Sequence, residues 1–83
     1  MKRGHILTFH VLLRDKPGVL SAVLAGFAEC GANILTINQS IPVNGVANVT
    51  VSAETSGMYT DMEALLRKLR DAAGVLKAEV MAG

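Results

Sequence analysis

The residues best placed to bind a small molecule lie in one short segment, Asp15-Lys16-Pro17-Gly18-Val19. Pro17 lacks a backbone N–H and has a fixed φ, so it suits the first turn of a helix. Gly18 has no side chain, so another molecule can approach the backbone closely there. Free N–H groups and the positive end of a helix dipole favour a carboxylate or phosphate. The segment is a candidate binding loop, although Pro-Gly at a helix start is also a common structural device.

The remaining reactive side chains form no catalytic or metal-binding motif in the sequence. His5 and His10 stand five residues apart along a strand, so they point to opposite faces and cannot chelate one ion together. A single cysteine, Cys30, excludes an internal disulfide and a cysteine-rich metal cluster, and is expected to be a small buried thiol. No nucleophile–base pair or phosphate-cradling glycine motif is present. We therefore expect no enzyme activity, metal or cofactor.

Composition indicates one small domain that acts without nucleic acid or membrane. The 83 residues are 51% hydrophobic and 18% charged, with a net charge of +1 and scattered basic residues. A nucleic-acid or anionic-membrane surface would need a clustered basic face, and no apolar run approaches the ~18 residues of a membrane span. The lone cysteine and the lack of a visible signal peptide favour the cytoplasm. A chain this small and apolar is expected to bury further surface in a homo-oligomer.

Hydrophobic periodicity predicts six elements that would position the candidate loop. Alternating residues predict four strands, and helical spacing predicts two helices. In chain order these are β1 over Ile6–Arg14, α1 over Pro17–Cys30, β2 over Ile34–Val43, β3 over Val46–Glu54, α2 from Thr60 to Gly74, and β4 over Val75–Met81. Thr60 and Glu63 form a capping box, and Asn44-Gly45 predicts a type I′ turn between β2 and β3. The candidate loop therefore joins β1 to α1.

The order βαββαβ predicts an α+β, ferredoxin-like fold with both helices on one face of a four-stranded antiparallel sheet. We expect β2 and β4 at its edges. The apolar residues predicted to face inward include Leu20, Val23, Leu24, Phe27 and Ala28 of α1, Met62, Leu65, Leu66, Leu69 and Ala73 of α2, Leu35, Ile37, Ile41 and Val43 of β2, and Leu76, Ala78 and Val80 of β4. The other face is polar but almost uncharged, and β2 lacks the charges that would block pairing with another chain.

Three basic residues of α2, Arg67, Lys68 and Arg70, allow a competing interpretation. Together they could bind a dianionic metabolite. A basic stripe beside Asp71 and Glu63 is more often a solvated helix face, which is the interpretation we favour.

From Ile6 to about Met81 the chain resembles the ACT domain, a small regulatory module that senses amino acids in metabolic enzymes. The resemblance rests on the βαββαβ order, the Asp-Lys-Pro-Gly-Val-Leu segment from Asp15, and Gly-Ala-Asn-Ile from Gly31. The stretches 33–42 and 44–49 are similar to small ACT proteins associated with phenylalanine biosynthesis, some of which are called chorismate mutase. Members of that group carry an extra N-terminal segment. We therefore expect this chain to be their regulatory half, with residues 1–4 as a disordered start.

The resemblance implies a dimer whose ligands lie between the β1–α1 loop of one chain and the start of β2 of its neighbour. Carried over by position, the loop Asp15 to Val19, which includes Lys16, Pro17 and Gly18, would supply backbone N–H groups to the ligand carboxylate. Asn33 would bind the amino or carboxylate group, and the Asp15 carboxylate would attract the ammonium. Leu13 is apolar where some serine-binding relatives are polar, which favours an apolar ligand such as phenylalanine. A chorismate mutase-type enzyme and a dimerisation module without ligand stay open as alternatives.

Overall fold

The structure is a computed structural model that describes residues 6–81. The expectations for residues 1–4 and for His5 lie outside the described residues. The elements are β1 Ile6–Arg14, α1 Val19–Glu29, β2 Asn33–Gln39, β3 Val46–Glu54, α2 Met62–Asp71 and β4 Val75–Met81. The predicted order βαββαβ is confirmed.

The four strands form one antiparallel sheet in the order β2-β3-β1-β4, which confirms the ferredoxin-like fold and places β2 and β4 at the edges. Residues paired across antiparallel strands share a face of the sheet. Thr8 pairs with Ser52, and Ser52 pairs with Thr36 on its other side. The predicted polar face therefore exists, and the helices pack on the opposite face, which Phe9 and Val51 occupy as partners.

The core lies between the sheet and the helices. Phe9 and Phe27 are fully buried and meet edge to face, with ring centroids 5.0 Å apart. The predicted helix stripes are correct for Val23, Leu65 and Leu69, which are buried, whereas Ala28 and Ala73 are exposed. Gly26, which periodicity places outside the stripe, is also buried. A Cβ at Gly26 would lie 3.1 Å from Leu69 Cδ2, so its small size lets the helices approach.

The predicted extent of β2 is wrong, whereas its predicted orientation is correct at Ile37, which pairs with the core residue Val51. The strand ends at Gln39: Ser40 N–H still donates to the Asn48 carbonyl at 2.8 Å, but Asn48 N–H donates back to the Ser40 side-chain Oγ at 3.0 Å instead of to a backbone carbonyl. Pro42, further on, has no N–H that could resume the ladder. Only an isolated bridge between Val43 and Val46 flanks the Asn44-Gly45 turn, whose positive φ angles of 55° and 74° are those that a type I′ turn requires. Of the four apolar residues predicted to face inward, none is buried; the set is Leu35, Ile37, Ile41 and Val43.

Both edge strands carry a one-residue bulge that shifts their inward positions. Between the pairs Ile34–Ala53 and Thr36–Ser52, Leu35 is the extra residue, and it is 46% exposed. In β4 the extra residue is Leu76, which is 47% exposed although alternation predicts it to be buried. Their preceding neighbours pack against the core instead, namely Ile34 in β2 and Val75 in β4.

Helix α2 is capped one residue later than predicted. Asp61 is the N-cap, and its Oδ1 accepts a hydrogen bond from the Ala64 N–H at 2.9 Å. Thr60 precedes the cap, so the predicted Thr60–Glu63 capping box is not formed. Asp is a stronger N-cap residue than Thr, which agrees with the cap at Asp61 rather than at Thr60.

This shift in the cap predicts unequal effects of two neighbouring substitutions. Asp61→Ala is expected to lower the free energy of unfolding by about 1 kcal/mol, because the Ala64 N–H loses its acceptor. Thr60→Ala serves as the matched control and is expected to change it by less than half as much. Urea denaturation followed by circular dichroism measures both. A larger loss of stability for Thr60→Ala than for Asp61→Ala would instead favour the Thr60–Glu63 capping box.

Candidate functional site

Two backbone hydrogen bonds hold the β1–α1 loop between distant parts of the chain. Arg14 N–H donates to the Gly74 carbonyl at 2.8 Å, which ties the end of β1 to the turn between α2 and β4. Asp15 N–H donates to the Gly45 carbonyl at 2.8 Å, which ties the loop to the tip of the β2–β3 hairpin. The loop therefore has a defined position although its residues are exposed.

Helix α1 begins at Val19 rather than at Pro17, because Gly18 adopts a left-handed φ of 86° that a helix cannot contain. Gly18 is the N-cap, no side chain caps the helix, and no acidic residue lies in its first turn. The first intrahelical bond runs from Ala22 N–H to the Gly18 carbonyl at 3.0 Å. The N–H groups of Leu20 and Ser21 precede that bond, so they have no acceptor within the helix. This terminus can receive an anion.

A cleft of about 460 Å³ lies beside this helix terminus. Four of the predicted site residues line it, namely Lys16, Pro17, Gly18 and Val19. Its other lining residues were not predicted as part of the site; they are Arg14, Ala22, Ala73 and Gly74. The cleft combines backbone donors and two basic residues with an apolar wall, an arrangement that suits a carboxylate carrying an apolar group.

Asp15 does not line the cleft, although the sequence places it in the same loop. Its N–H points to Gly45 of the hairpin, whereas Arg14 on its other side bonds Gly74. Asp15 therefore contacts the β2–β3 hairpin, whereas Arg14 contacts the α2–β4 turn that borders the cleft.

Asn33 lies at the opposite end of the sheet from the cleft. It pairs with Glu54, which in turn pairs with Ile6 at the start of β1, whereas Arg14 ends that strand beside the cleft. A strand of this length spans roughly 25 Å. Within one chain, therefore, Asn33 and the loop do not form a common site.

The lining residues that the sequence did not predict come from distant parts of the chain, namely α1 and the turn between α2 and β4. Val19 packs against Gly74, where an added Cβ would lie 2.6 Å from Val19 Cγ2. The pairing of β4 with β1 brings this turn next to α1. Periodicity assigned Ala73 to the core, and no sequence signal indicated that it would face a cleft.

The basic residues of α2 are largely engaged elsewhere. Lys68 Nζ lies 3.0 Å from Glu29 Oε1, and this hydrogen bond and the negative charge raise the pKa of Lys68 above its ordinary value. Arg70 donates from Nε and Nη2 to the Ala78 carbonyl of β4, at 3.1 and 2.9 Å. Two of the three cations therefore already have partners within the chain, which weakens the dianion-site interpretation.

The other sequence candidates stand apart from the cleft. His10 is exposed on the helix-free face, and Cys30 is buried. Among residues 6–81 no three His, Cys, Asp or Glu side chains are grouped so that they could hold a metal ion. None of the helices in this described range is long and apolar enough to cross a bilayer.

Solved structures with the same fold include an ACT domain and a regulatory subunit. The ACT domain of GTP pyrophosphokinase from Chlorobium tepidum superposes with a TM-score of 0.73 at 18% identity, covering 95% of this chain and 100% of that one. The ligand-free regulatory subunit of aspartate kinase from Thermus thermophilus gives a TM-score of 0.69 at 20% identity, covering 95% of this chain and 55% of that one. At these identities the similarity establishes the fold.

Sequence comparisons establish the family. A UPF0735 ACT domain-containing protein of Caldicellulosiruptor saccharolyticus is 43% identical over 79 residues, covering 95% of this chain and 53% of the relative. The corresponding protein of Desulfitobacterium hafniense is 49% identical over 79 residues, covering 95% and 53%. The chain thus spans about half the length of these curated relatives. The family model of the ACT domain matches residues 5–74. This chain belongs to the ACT domain family.

Proposed function

We propose that this chain is a cytoplasmic regulatory domain that binds a small amino acid, phenylalanine or another apolar one, and has no catalytic activity of its own. The observation that carries the proposal is the cleft at the uncapped N-terminus of α1. The regulatory role is also supported by the fold shared with the regulatory subunit of aspartate kinase. Phenylalanine biosynthesis is the metabolic setting that we propose for it.

The proposed ligand places its carboxylate against the backbone of Lys16 to Val19. Within this loop the Lys16 N–H donates to the Arg14 carbonyl, the Val19 N–H donates to the Lys16 carbonyl, and Pro17 has no N–H. The negative charge would therefore be stabilised by the N–H groups of Gly18, Leu20 and Ser21 and by the helix dipole, and Gly18 leaves the backbone accessible. The Asp15 carboxylate lies outside the cleft lining, so its proposed attraction for the ammonium would act from the edge of the site.

Asn33 would have to come from a second copy of the chain, because in its own chain it lies at the far end of the sheet. We propose that β2 of one chain pairs with β2 of another in a homodimer. From Asn33 to Asn44 the sequence contains no charged residue, and Ile41 is 87% exposed. An uncharged apolar edge can pair with itself. By contrast, β4 carries the Lys77–Glu79 ion pair and the Arg70 contact to its backbone.

Matched lysine substitutions on the two edges test which one pairs. Ile37 in β2 and Leu76 in β4 are 41% and 47% exposed. Ile37→Lys is expected to weaken dimerisation at least about tenfold in sedimentation, because it places like charges on both copies of the interface. Leu76→Lys is expected to have little effect. A wild-type chain that is monomeric at micromolar concentration, or a dimer lost only in Leu76→Lys, would contradict pairing through β2.

A thermal-shift panel of the twenty amino acids tests the proposed function. A specific ligand stabilises the folded chain by about 2.7 kcal/mol at a hundredfold excess over its Kd. Asn33→Ala is expected to weaken binding by about 1–3 kcal/mol, because its polar partner on the ligand is left without a hydrogen bond. Asn38→Ala, on the same strand and also exposed, is the control. If no amino acid raises the unfolding temperature, the proposal fails and a dimerisation module without ligand remains.

The enzyme alternative has its own test. Purified protein is expected not to convert chorismate to prephenate above the uncatalysed rate, because Lys68 and Arg70 are engaged in other contacts. Turnover that is lost in Arg67→Ala would instead favour the chorismate mutase interpretation.

A further inference from the structure

We propose that Ala22 of α1 and Ala73 of the α2–β4 turn determine which ligand side chain the cleft accepts. The inference rests on the proposed function, because it concerns the same cleft. It adds an apolar wall, formed by residues of the same chain as the loop, which selects for an apolar group by the space it leaves.

Helix geometry accounts for the position of Ala22. Val19 and Ala22 are three residues apart on α1, so their side chains share a face of the helix. Val19 is buried against Gly74, whereas Ala22 is exposed and lines the cleft. Ala22 thus lies next to the buried Val19 on the same face of α1, and its methyl group borders the cleft.

The α2–β4 turn supplies the other side of this wall. Its geometry is held at three points: Val75 N–H donates to the Ala72 carbonyl at 3.2 Å, Gly74 packs on Val19, and the Gly74 carbonyl accepts from Arg14 N–H at 2.8 Å. Ala73 lies between these anchored residues, is exposed, and lines the cleft. Because the backbone of the turn is held, the size of the side chain at position 73 sets the room that remains.

The chemistry of the wall indicates the part of the ligand that it meets. Ala22, Ala73 and Gly74 have no polar side-chain atoms, and the backbone donors at the N-terminus of α1 border the same cleft. A ligand carboxylate at those donors would direct the rest of the molecule toward the apolar wall. Small lining residues leave space for a large apolar side chain, and larger residues would restrict the cleft to small ligands.

The test compares phenylalanine with alanine as ligands of wild type, Ala22→Leu and Ala73→Leu by isothermal titration calorimetry. Each leucine fills the apolar part of the cleft, so the ratio of phenylalanine affinity to alanine affinity is expected to fall at least about tenfold. Ala25→Leu is the matched control, since Ala25 lies on the same helix, is exposed and does not line the cleft. It is expected to leave the ratio unchanged.

The possible outcomes separate this inference from the proposed function. If wild type binds phenylalanine and both cleft variants keep the wild-type ratio, the wall does not select the ligand and the inference is overturned, while the proposed function stands. If wild type binds no amino acid, both are overturned. Unfolding temperatures without ligand show whether each variant folds. Should a leucine variant unfold, Ala22→Val and Ala73→Val add less bulk at the same positions and are expected to lower the ratio by a smaller factor.

Discussion

Gly18→Val is expected to abolish amino acid binding, whereas Gly45→Val is expected to leave it unchanged. Gly18 lines the cleft at the start of α1, and a valine there would cover the N–H groups that the ligand carboxylate is proposed to reach. We expect the affinity for phenylalanine to fall at least about a hundredfold, the loss of two or more hydrogen bonds to a charged group. Calorimetry on both variants measures the difference.

Gly45 is a close structural control for this substitution. Its φ of 74° resembles the 86° of Gly18, and an added Cβ at either position would meet no atom within 4 Å. Both variants therefore carry a similar backbone strain, which is expected to lower the folding stability of each by about 1–3 kcal/mol. Equal affinities of the two variants for phenylalanine would remove this loop from the binding site.

Gly74→Ala is expected to destabilise the chain more than the same methyl addition at Gly18. The φ of Gly74 is 91°, and an added Cβ would lie 2.6 Å from Val19 Cγ2. Left-handed strain of about 1–2 kcal/mol and overpacking of about 1–3 kcal/mol together predict a loss near 3 kcal/mol. For a domain of this size that corresponds to a decrease in Tm of about 15 °C, which calorimetric or optical melting detects.

Two further variants separate strain from steric clash. Gly18→Ala has nearly the same φ and open space around its Cβ, so it is expected to cost only about 1 kcal/mol. Val19→Ala in the Gly74→Ala background removes the clashing methyl groups, so the two substitutions are expected to be coupled by at least about 1 kcal/mol. Equal losses for Gly74→Ala and Gly18→Ala would show that contact with Val19 does not limit position 74.

Local patterns in the sequence were enough to predict the six elements, their order and the character of the two sheet faces. Alternation in Ile6–Arg14 and Val46–Glu54 placed both central strands to the residue, because each has one face fully against the core. Positive φ at Asn44 and Gly45 follows from the preferences of those two residues, which local chemistry decides. The candidate loop was also recognisable, since proline and glycine change the backbone where they stand.

Contacts between distant parts of the chain set which residues complete the cleft and which edge residues face inward. Leu35 and Leu76 lie at bulges, and a bulge depends on the partner strand, so alternation along one strand cannot reveal it. Ala73 and Gly74 reach the cleft because β4 pairs beside β1, a contact between residues about sixty positions apart. Alanine and glycine carry too little chemistry to indicate such a contact. These small residues leave the space that forms part of the cleft, and the packing of the surrounding elements defines that space.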